Sequence, residues 1–196
     1  YELGQPTHCY DFLKIGSDIT LQENNSEYKF NTLLETTIDL KGSDLVFSSE
    51  EKIINLSGVM GGLETSCSDK TKNVLVECAY FKPESIIGKA VKYNLHSDAS
   101  HKFERGTDPI SHKKVLRRFI EIVSEHCKIS KLGIYSYTGP PFKEIEINFD
   151  LEKINNILGT NADHHAYKEA LTKLSFDIDK TIKVPSFRND ILHQND

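Results

Sequence analysis

No apolar run in this 196-residue sequence approaches the roughly 20 residues that a membrane-crossing helix needs. The opening stretch, Tyr1–Tyr10, lacks the basic start and apolar core of a secretion signal. There is no initiator methionine, the start reads as mid-domain and the end falls in a polar stretch, so truncation at each end is expected. No basic stripe is present either. The net charge is −5, which argues against a free-standing nucleic-acid binder, DNA included, and requires any RNA contact to be local or shared with other parts of a larger protein. The cysteines are Cys9, Cys67, Cys78 and Cys127. None of their spacings suits a zinc knuckle or a disulfide framework, so small buried side chains or reduced thiols in a cytoplasmic protein are the simplest expectation. No Gly-x-Ser-x-Gly elbow occurs, and Cys9 beside His8 is a neighbour in sequence rather than a catalytic dyad. A covalent nucleophile is not expected. Internal repeats and low-complexity segments are absent as well.

What is present suits a soluble α+β fold. Hydrophobic residues make up 38% and charged residues 27%, ordinary globular material, and the length is enough for one sizeable core or for one core plus a small second module. Residues 15–80 read as short strands at Asp18–Gln22, Thr36–Leu40, Leu45–Phe47 and Lys52–Leu56, punctuated by Asn24-Asn25-Ser26 and Lys41-Gly42-Ser43. Asn73–Tyr80 reads as a buried strand. Pro83 suits a first helical position, with Ile86, Ile87, Ala90, Val91 and Leu95 at helical spacing behind it. A second helix is expected from Asp108-Pro109, with a buried stripe of Val115, Leu116, Phe119, Ile122 and Val123. Lys113, Lys114, Arg117 and Arg118 would form its basic face, either solvated or touching RNA. Beyond the linker Gly139-Pro140-Pro141 come a strand at Glu144–Asn148 and a helix at Leu151–Leu158 capped by Asp150 and ended by Gly159. A second helix over 163–174 and a hairpin from Phe176–Ile178 and Thr181–Val184 complete a pattern of winged-helix type.

Four collinear strings carry a more specific message: YELGQPTHCYD at the start, LSGVMGG over Leu56–Gly62, NVLVECAYFKPESI over Asn73–Ile86 and LHSDASHKFERGTDP over Leu95–Pro109. Together they resemble the proofreading (B3/B4) domain of bacterial phenylalanyl-tRNA synthetase β subunits. VPSFRND at Val184–Asp190 resembles the signature of the B5 domain that follows it. The resemblance implies a mixed, β-rich editing domain with packed helices over 1–142, its N-terminal part missing, and a C-terminally truncated, winged-helix-like α/β B5 module over 143–196. The implied function is hydrolysis of mischarged Tyr-tRNA(Phe) within a cytoplasmic α2β2 phenylalanine-tRNA ligase. ATP and magnesium serve the complete enzyme, whose aminoacylation site lies on the α subunit. That subunit and tRNA(Phe) are the implied partners. The rival reading is a non-catalytic module for subunit contact or RNA docking.

Phenylalanine and tyrosine differ by one hydroxyl, which an apolar pocket rejects only about 100-fold, whereas a site that hydrogen-bonds the hydroxyl rejects the residue lacking it by roughly 10⁴-fold or more. The resemblance gives the acceptor role to Glu77. By pattern alone Glu77 interrupts an apolar run, either as a solvent-facing strand residue or as a buried carboxylate in need of a partner. Gly58, Gly61 and Gly62 form a tight turn or, by the resemblance, a pocket wall whose exposed amides could cradle the substrate. His8 is a structural histidine or, as the resemblance implies, an orienting group rather than an obligate base. Ser97 stands where the family commonly has threonine, and Ala99 is implied as a small residue that leaves room for the tyrosyl ring. His8, Gly58, Gly61, Glu77 and Ala99 are therefore expected to line one cavity, with an attacking water placed beside the ester. Glu104-Arg105 reads as structural. The resemblance implies that Asp190 and Asp196 are half of a magnesium site whose two glutamates would lie just beyond them, so no bound metal is expected here.

Overall fold

The computed structural model describes residues 1–193 and 195–196. In chain order the elements are β1 His8–Asp11, β2 Thr20–Asn24, β3 Tyr28–Asn31, β4 Thr37–Leu40, β5 Asp44–Ser49, β6 Lys52–Leu56, β7 Met60–Gly61 and β8 Val74–Glu77. Then follow α1 Pro83–Ile86, α2 Lys89–Tyr93, α3 Asp98–Glu104, α4 His112–His126, β9 Ile145–Asn148, α5 Leu151–Leu158, α6 His164–Lys173, β10 Asp177–Ile178 and β11 Thr181–Val184. The chain divides into two compact units, residues 1–107 with 111–121 and residues 108–110 with 122–196.

In the first unit β2, β5, β6 and β7 form an antiparallel sheet in that order, β3 pairs with β4, and β1 pairs with β8. Strand β5 alternates as a half-buried strand should, turning Asp44, Val46 and Ser48 inward. Its pairing with β6 slips by one residue at Phe47/Ser48, so Ile54 is extra on β6 and Ile54, Asn55 and Leu56 are buried in succession. This is a β-bulge, the device by which a strand re-aims a side chain. The core comprises Phe30, Leu40, Val46, Leu56, Val59, Phe81, Ile86, Leu95 and Phe103. Asp44, wholly buried, is held by Lys89 Nζ at 2.7 Å, Lys92 Nζ at 3.2 Å and the Tyr93 hydroxyl, which ties α2 to the sheet.

Several expected elements differ. Asn73–Tyr80 is paired only over Val74–Glu77 and is not a buried strand: it has one neighbour, β1, and Val74 is exposed. The helix expected through Leu95 is two short ones, because Gly88 takes a left-handed φ of 78° between them. Ile86 and Ala90 are buried, while Ile87 and Val91 face outward. Asp108 accepts a hydrogen bond from the Ile110 amide, and the first helical bond of α4 runs only from Val115 N to Ser111 O, so the helix begins three residues beyond Pro109. Of its expected stripe, Val115 alone is buried. Its basic face is exposed at Lys113, Lys114 and Arg117, and Arg118 pairs with Glu2 at 3.0 Å. Helix α3 had no counterpart in the sequence reading. It is capped by Ser97, whose hydroxyl accepts from Ser100 N, and by the reciprocal bond from Ser97 N to Ser100 Oγ.

The second unit has the expected order of strand, helix, helix and hairpin. Its sheet runs β10-β11-β9, and Phe176, Ile178, Ile182, Val184 and Ile191 form its core with Ile145, Ile147, Phe149 and Leu171 against them. Asp150 caps α5 by accepting from Lys153 N, and Gly159 ends it at φ 65°. The fold is α+β with a small C-terminal α/β module. Among the described residues no helix is long and apolar enough to cross a membrane.

Candidate functional site

The β1–β8 ladder builds the site. His8 lies opposite Glu77 and Tyr10 opposite Leu75. Alternation along each strand puts His8, Tyr10, Leu75 and Glu77 on one face and turns Cys9 to the other. Tyr10 is thus the diagonal neighbour of Glu77, and its hydroxyl donates to Glu77 Oε2 at 2.8 Å. Behind it Asn55, re-aimed by the β6 bulge, donates from Nδ2 to Tyr10 Oη at 2.8 Å. Asn55 is paired with Gly61 of β7, and the His8 ring lies over that glycine: a Cβ there would meet His8 Cε1 at 2.2 Å. His8 also meets the Tyr10 ring edge-on, with 4.4 Å between centroids. His8, Tyr10, Asn55, Gly61 and Glu77 therefore form one polar cluster.

Its electrostatics follow from burial. Glu77 is half-buried, and desolvation pushes its carboxyl up to about 7 against the opposing pull of the Tyr10 hydrogen bond. Burial, and then the Glu77 charge, raise the Tyr10 phenol far above its ordinary value, so it stays a protonated donor. Burial lowers His8, which favours the neutral imidazole, and His8 Nε2 is buried with no hydrogen-bond partner among the described residues. Burial also raises the Cys9 thiol and lifts that of Cys78 to about 11, and a protonated thiol is a poor nucleophile.

The remaining expected residues sit elsewhere. Gly58 supplies the positive φ of 70° in a tight turn closed by Val59 N to Leu56 O. A Cβ on it would meet Ile86, Phe81 and Phe103, so it faces the apolar core rather than the polar cluster. A Cβ on Gly62 would meet the Ile54 carbonyl at 2.8 Å and Phe30 at 3.1 Å. Ala99 packs against the same core. The Ser97 hydroxyl donates to Val59 O at 2.8 Å, joining α3 to the glycine turn. Arg105 closes α3 and donates to the His101 carbonyl. In the other unit Asp190 is engaged by Arg188 through two 2.8 Å bonds, which hold its carboxyl down at about 2, and Asp196 accepts from the amides of Leu192 and His193. No group of three or more His, Cys, Asp or Glu side chains could hold a metal ion among the described residues. Two carboxylates already engaged in this way do not by themselves fit octahedral magnesium.

Residues 1–128 match the B3/4 domain and residues 147–196 the tRNA synthetase B5 domain. The chain belongs to the phenylalanyl-tRNA synthetase β-subunit family. It is 36% identical over 197 residues to the phenylalanine–tRNA ligase β subunit of Francisella tularensis, covering 96% of this chain and 25% of that one. The corresponding subunit of Colwellia psychrerythraea is 31% identical, covering 97% of this chain and 25% of its own. The chain thus spans about a quarter of the length of these curated relatives. A crystal structure of an N-terminal fragment of the β subunit from Pyrococcus horikoshii superposes loosely, with a TM-score of 0.44 at 15% identity over 95% of this chain and 56% of that one.

Within this family member, sequence reasoning missed Tyr10 and Asn55. A signal existed for each. Tyr10 has the same strand parity as His8, and Asn55 is a polar interruption of the apolar run Ile53–Leu56, just as Glu77 is of its own strand. Neither signal names the partner, because that depends on register and on the bulge.

Proposed function

We propose that residues 1–142 form a proofreading domain that hydrolyses Tyr-tRNA(Phe), followed over 143–196 by a B5 module, within a phenylalanine-tRNA ligase that uses ATP and magnesium in the cytoplasm together with an α subunit. The observation that carries this reading is the 2.8 Å bond from a tyrosine hydroxyl to Glu77. This carboxylate accepts a phenol O–H, which is the feature that separates tyrosine from phenylalanine. Such a site rejects a substrate without the hydroxyl because its own buried polar group would then lose a partner.

In this reading Glu77 selects the tyrosyl group. Neutral His8, with Nε2 unpartnered above Gly61, orients the ester end or the water that attacks its carbonyl. Gly61 keeps the space that a side chain would take from His8. Gly58, Gly62, Ser97 and Ala99 act one layer behind by fixing the turn and α3 on which the site is mounted. The carbonyl carbon gains a bond to the water oxygen, the ester bond to the tRNA ribose breaks, and the water proton leaves with the ribose oxygen.

The test is deacylation of preformed Tyr-tRNA(Phe) by a synthetase assembled with this chain and its Glu77→Ala variant. Loss of a hydrogen bond to a charged acceptor predicts a slowing of about 10- to 150-fold. Phenylalanine charging, measured alongside, reports on assembly. Equal damage to both activities would point to misfolding, and unchanged deacylation would favour the non-catalytic docking module.

A further inference from the structure

Glu77 is not an isolated carboxylate. Tyr10, 1% exposed, and Asn55, 4% exposed, are shut away from water, and the Tyr10 hydroxyl bonds to Asn55 on one side and to Glu77 on the other. Asn55 Nδ2 gives its hydrogen to Tyr10 Oη, which leaves the phenol with one hydrogen to give and one place to give it, Glu77 Oε2. The relay therefore has a direction, from Asn55 through Tyr10 to Glu77. It crosses three strands, β6, β1 and β8, so its geometry depends on the bulge at Ile54 and on the β1–β8 register.

We propose that Tyr10 is a positioning residue for proofreading, its hydroxyl bond to Glu77 Oε2 favouring the acceptor-only form of that carboxylate; this rests on the proofreading reading above. An ionised carboxylate can only accept, so it rewards a hydroxyl. A protonated one carries a hydrogen of its own and discriminates less well. Burial drives Glu77 toward the protonated form, and the Tyr10 bond opposes it. The neighbouring titratable groups do not take over that task. His8, directly across the ladder, is biased toward its neutral form, and the thiols of Cys9 and Cys78 are held protonated. Asp11, on the opposite face of β1, accepts from Thr71 and from the Leu13 amide. No ion pair includes Glu77 among the described residues.

The experiment is the pH dependence of Tyr-tRNA(Phe) deacylation, between about pH 5.5 and 8.5, by the assembled synthetase carrying Tyr10→Phe. The acid limb of the profile should move to higher pH, with a rate loss of about 10-fold near neutrality that recovers as pH rises. Tyr10→Phe leaves the Asn55 amide without its acceptor, so Tyr10→Phe with Asn55→Leu is made as well. It removes both partners and should move the limb in the same direction. Thermal unfolding is recorded for both. A folded variant with an unmoved limb, or one slowed equally at every pH, overturns the proposal, and so does loss of folding in both variants, which would make Tyr10 a core residue. Glu77→Ala separates the levels. If it deacylates normally, the proofreading reading falls and takes this inference with it. If it is slow while the Tyr10→Phe limb stays put, only the inference falls.

Discussion

Replacing Glu77 by glutamine should make the fold gain stability relative to the parent as pH rises, while making the protein worse at proofreading. The side chain keeps its shape, and its amide oxygen can still accept from Tyr10. What it loses is a charge that the fold disfavours. Burial raises the carboxyl from its ordinary 4.5 to about 7. Because the folded value is raised, the associated stability is fully present below about pH 4.5 and lost as pH rises through about 7. The magnitude is about 3 kcal/mol, of the order that a shift of this size corresponds to. Glutamine has no such slope. The stability of Glu77→Gln relative to the parent should therefore climb by about 3 kcal/mol between about pH 4.5 and pH 8, whatever constant offset the substitution introduces. Urea unfolding followed by circular dichroism at a series of pH values reads this difference. A gap that stays flat would mean that the fold does not penalise the ionised carboxylate, one that moves against the variant as pH rises would mean that the fold stabilises it, and in either case the reasoning from desolvation would be wrong. The same variant should deacylate Tyr-tRNA(Phe) more slowly. A functional group that destabilises its own fold is what a site under selection for chemistry produces.

Three further outcomes are expected. Asp44→Asn breaks a pairing in which the carboxylate is wholly buried and should destabilise the protein by about 3 kcal/mol; the parent should lose this contribution as pH falls through the depressed Asp44 value, and denaturant midpoints at neutral and acid pH check both. Gly61→Ala places a Cβ 2.2 Å from His8 Cε1, so the imidazole must swing away; deacylation should fall about 10-fold or more, with a much smaller change in melting temperature. Gly58→Ala should do the reverse, since it combines a left-handed φ with contacts of 2.9 Å to Ile86 and 3.1 Å to Phe81; a stability loss of about 1–3 kcal/mol in thermal unfolding should come with near-normal deacylation by the fraction that remains folded.

Much of this architecture is legible in the residues, and the gaps have physical causes. Lys52–Leu56 and Leu151–Leu158 carry their own boundaries, through β-branched content in one case and an Asp150 cap with Gly159 in the other. Glu77 stands out because a carboxylate breaks an apolar strand. The pairing that gives it meaning was not legible, because Tyr10 and Asn55 lie 67 and 22 positions away, and only the β1–β8 register and the bulge at Ile54 bring them together. Helical spacing from Ile86 to Leu95 misled because it counts through Gly88, where the chain takes a positive φ and starts a new helix. Helix α3 escaped notice because its capping box uses serine at both positions, Ser97 and Ser100, where the usual signature has glutamate or glutamine at the second. Asp44 gave no signal of its burial, since its cationic partners Lys89 and Lys92 follow more than forty residues later.

The central claim is that Glu77 distinguishes tyrosine from phenylalanine by accepting a hydroxyl hydrogen. The measurement that tests it most directly is the ratio of deacylation rates for Tyr-tRNA(Phe) and Phe-tRNA(Phe), taken on one assembled synthetase with Glu77 and again with Glu77→Gln. The ratio should collapse by about 10-fold or more, mainly through a slower reaction of the tyrosyl ester. A ratio that is unchanged while both rates stay high would contradict it and would place the selection for tyrosine on other residues.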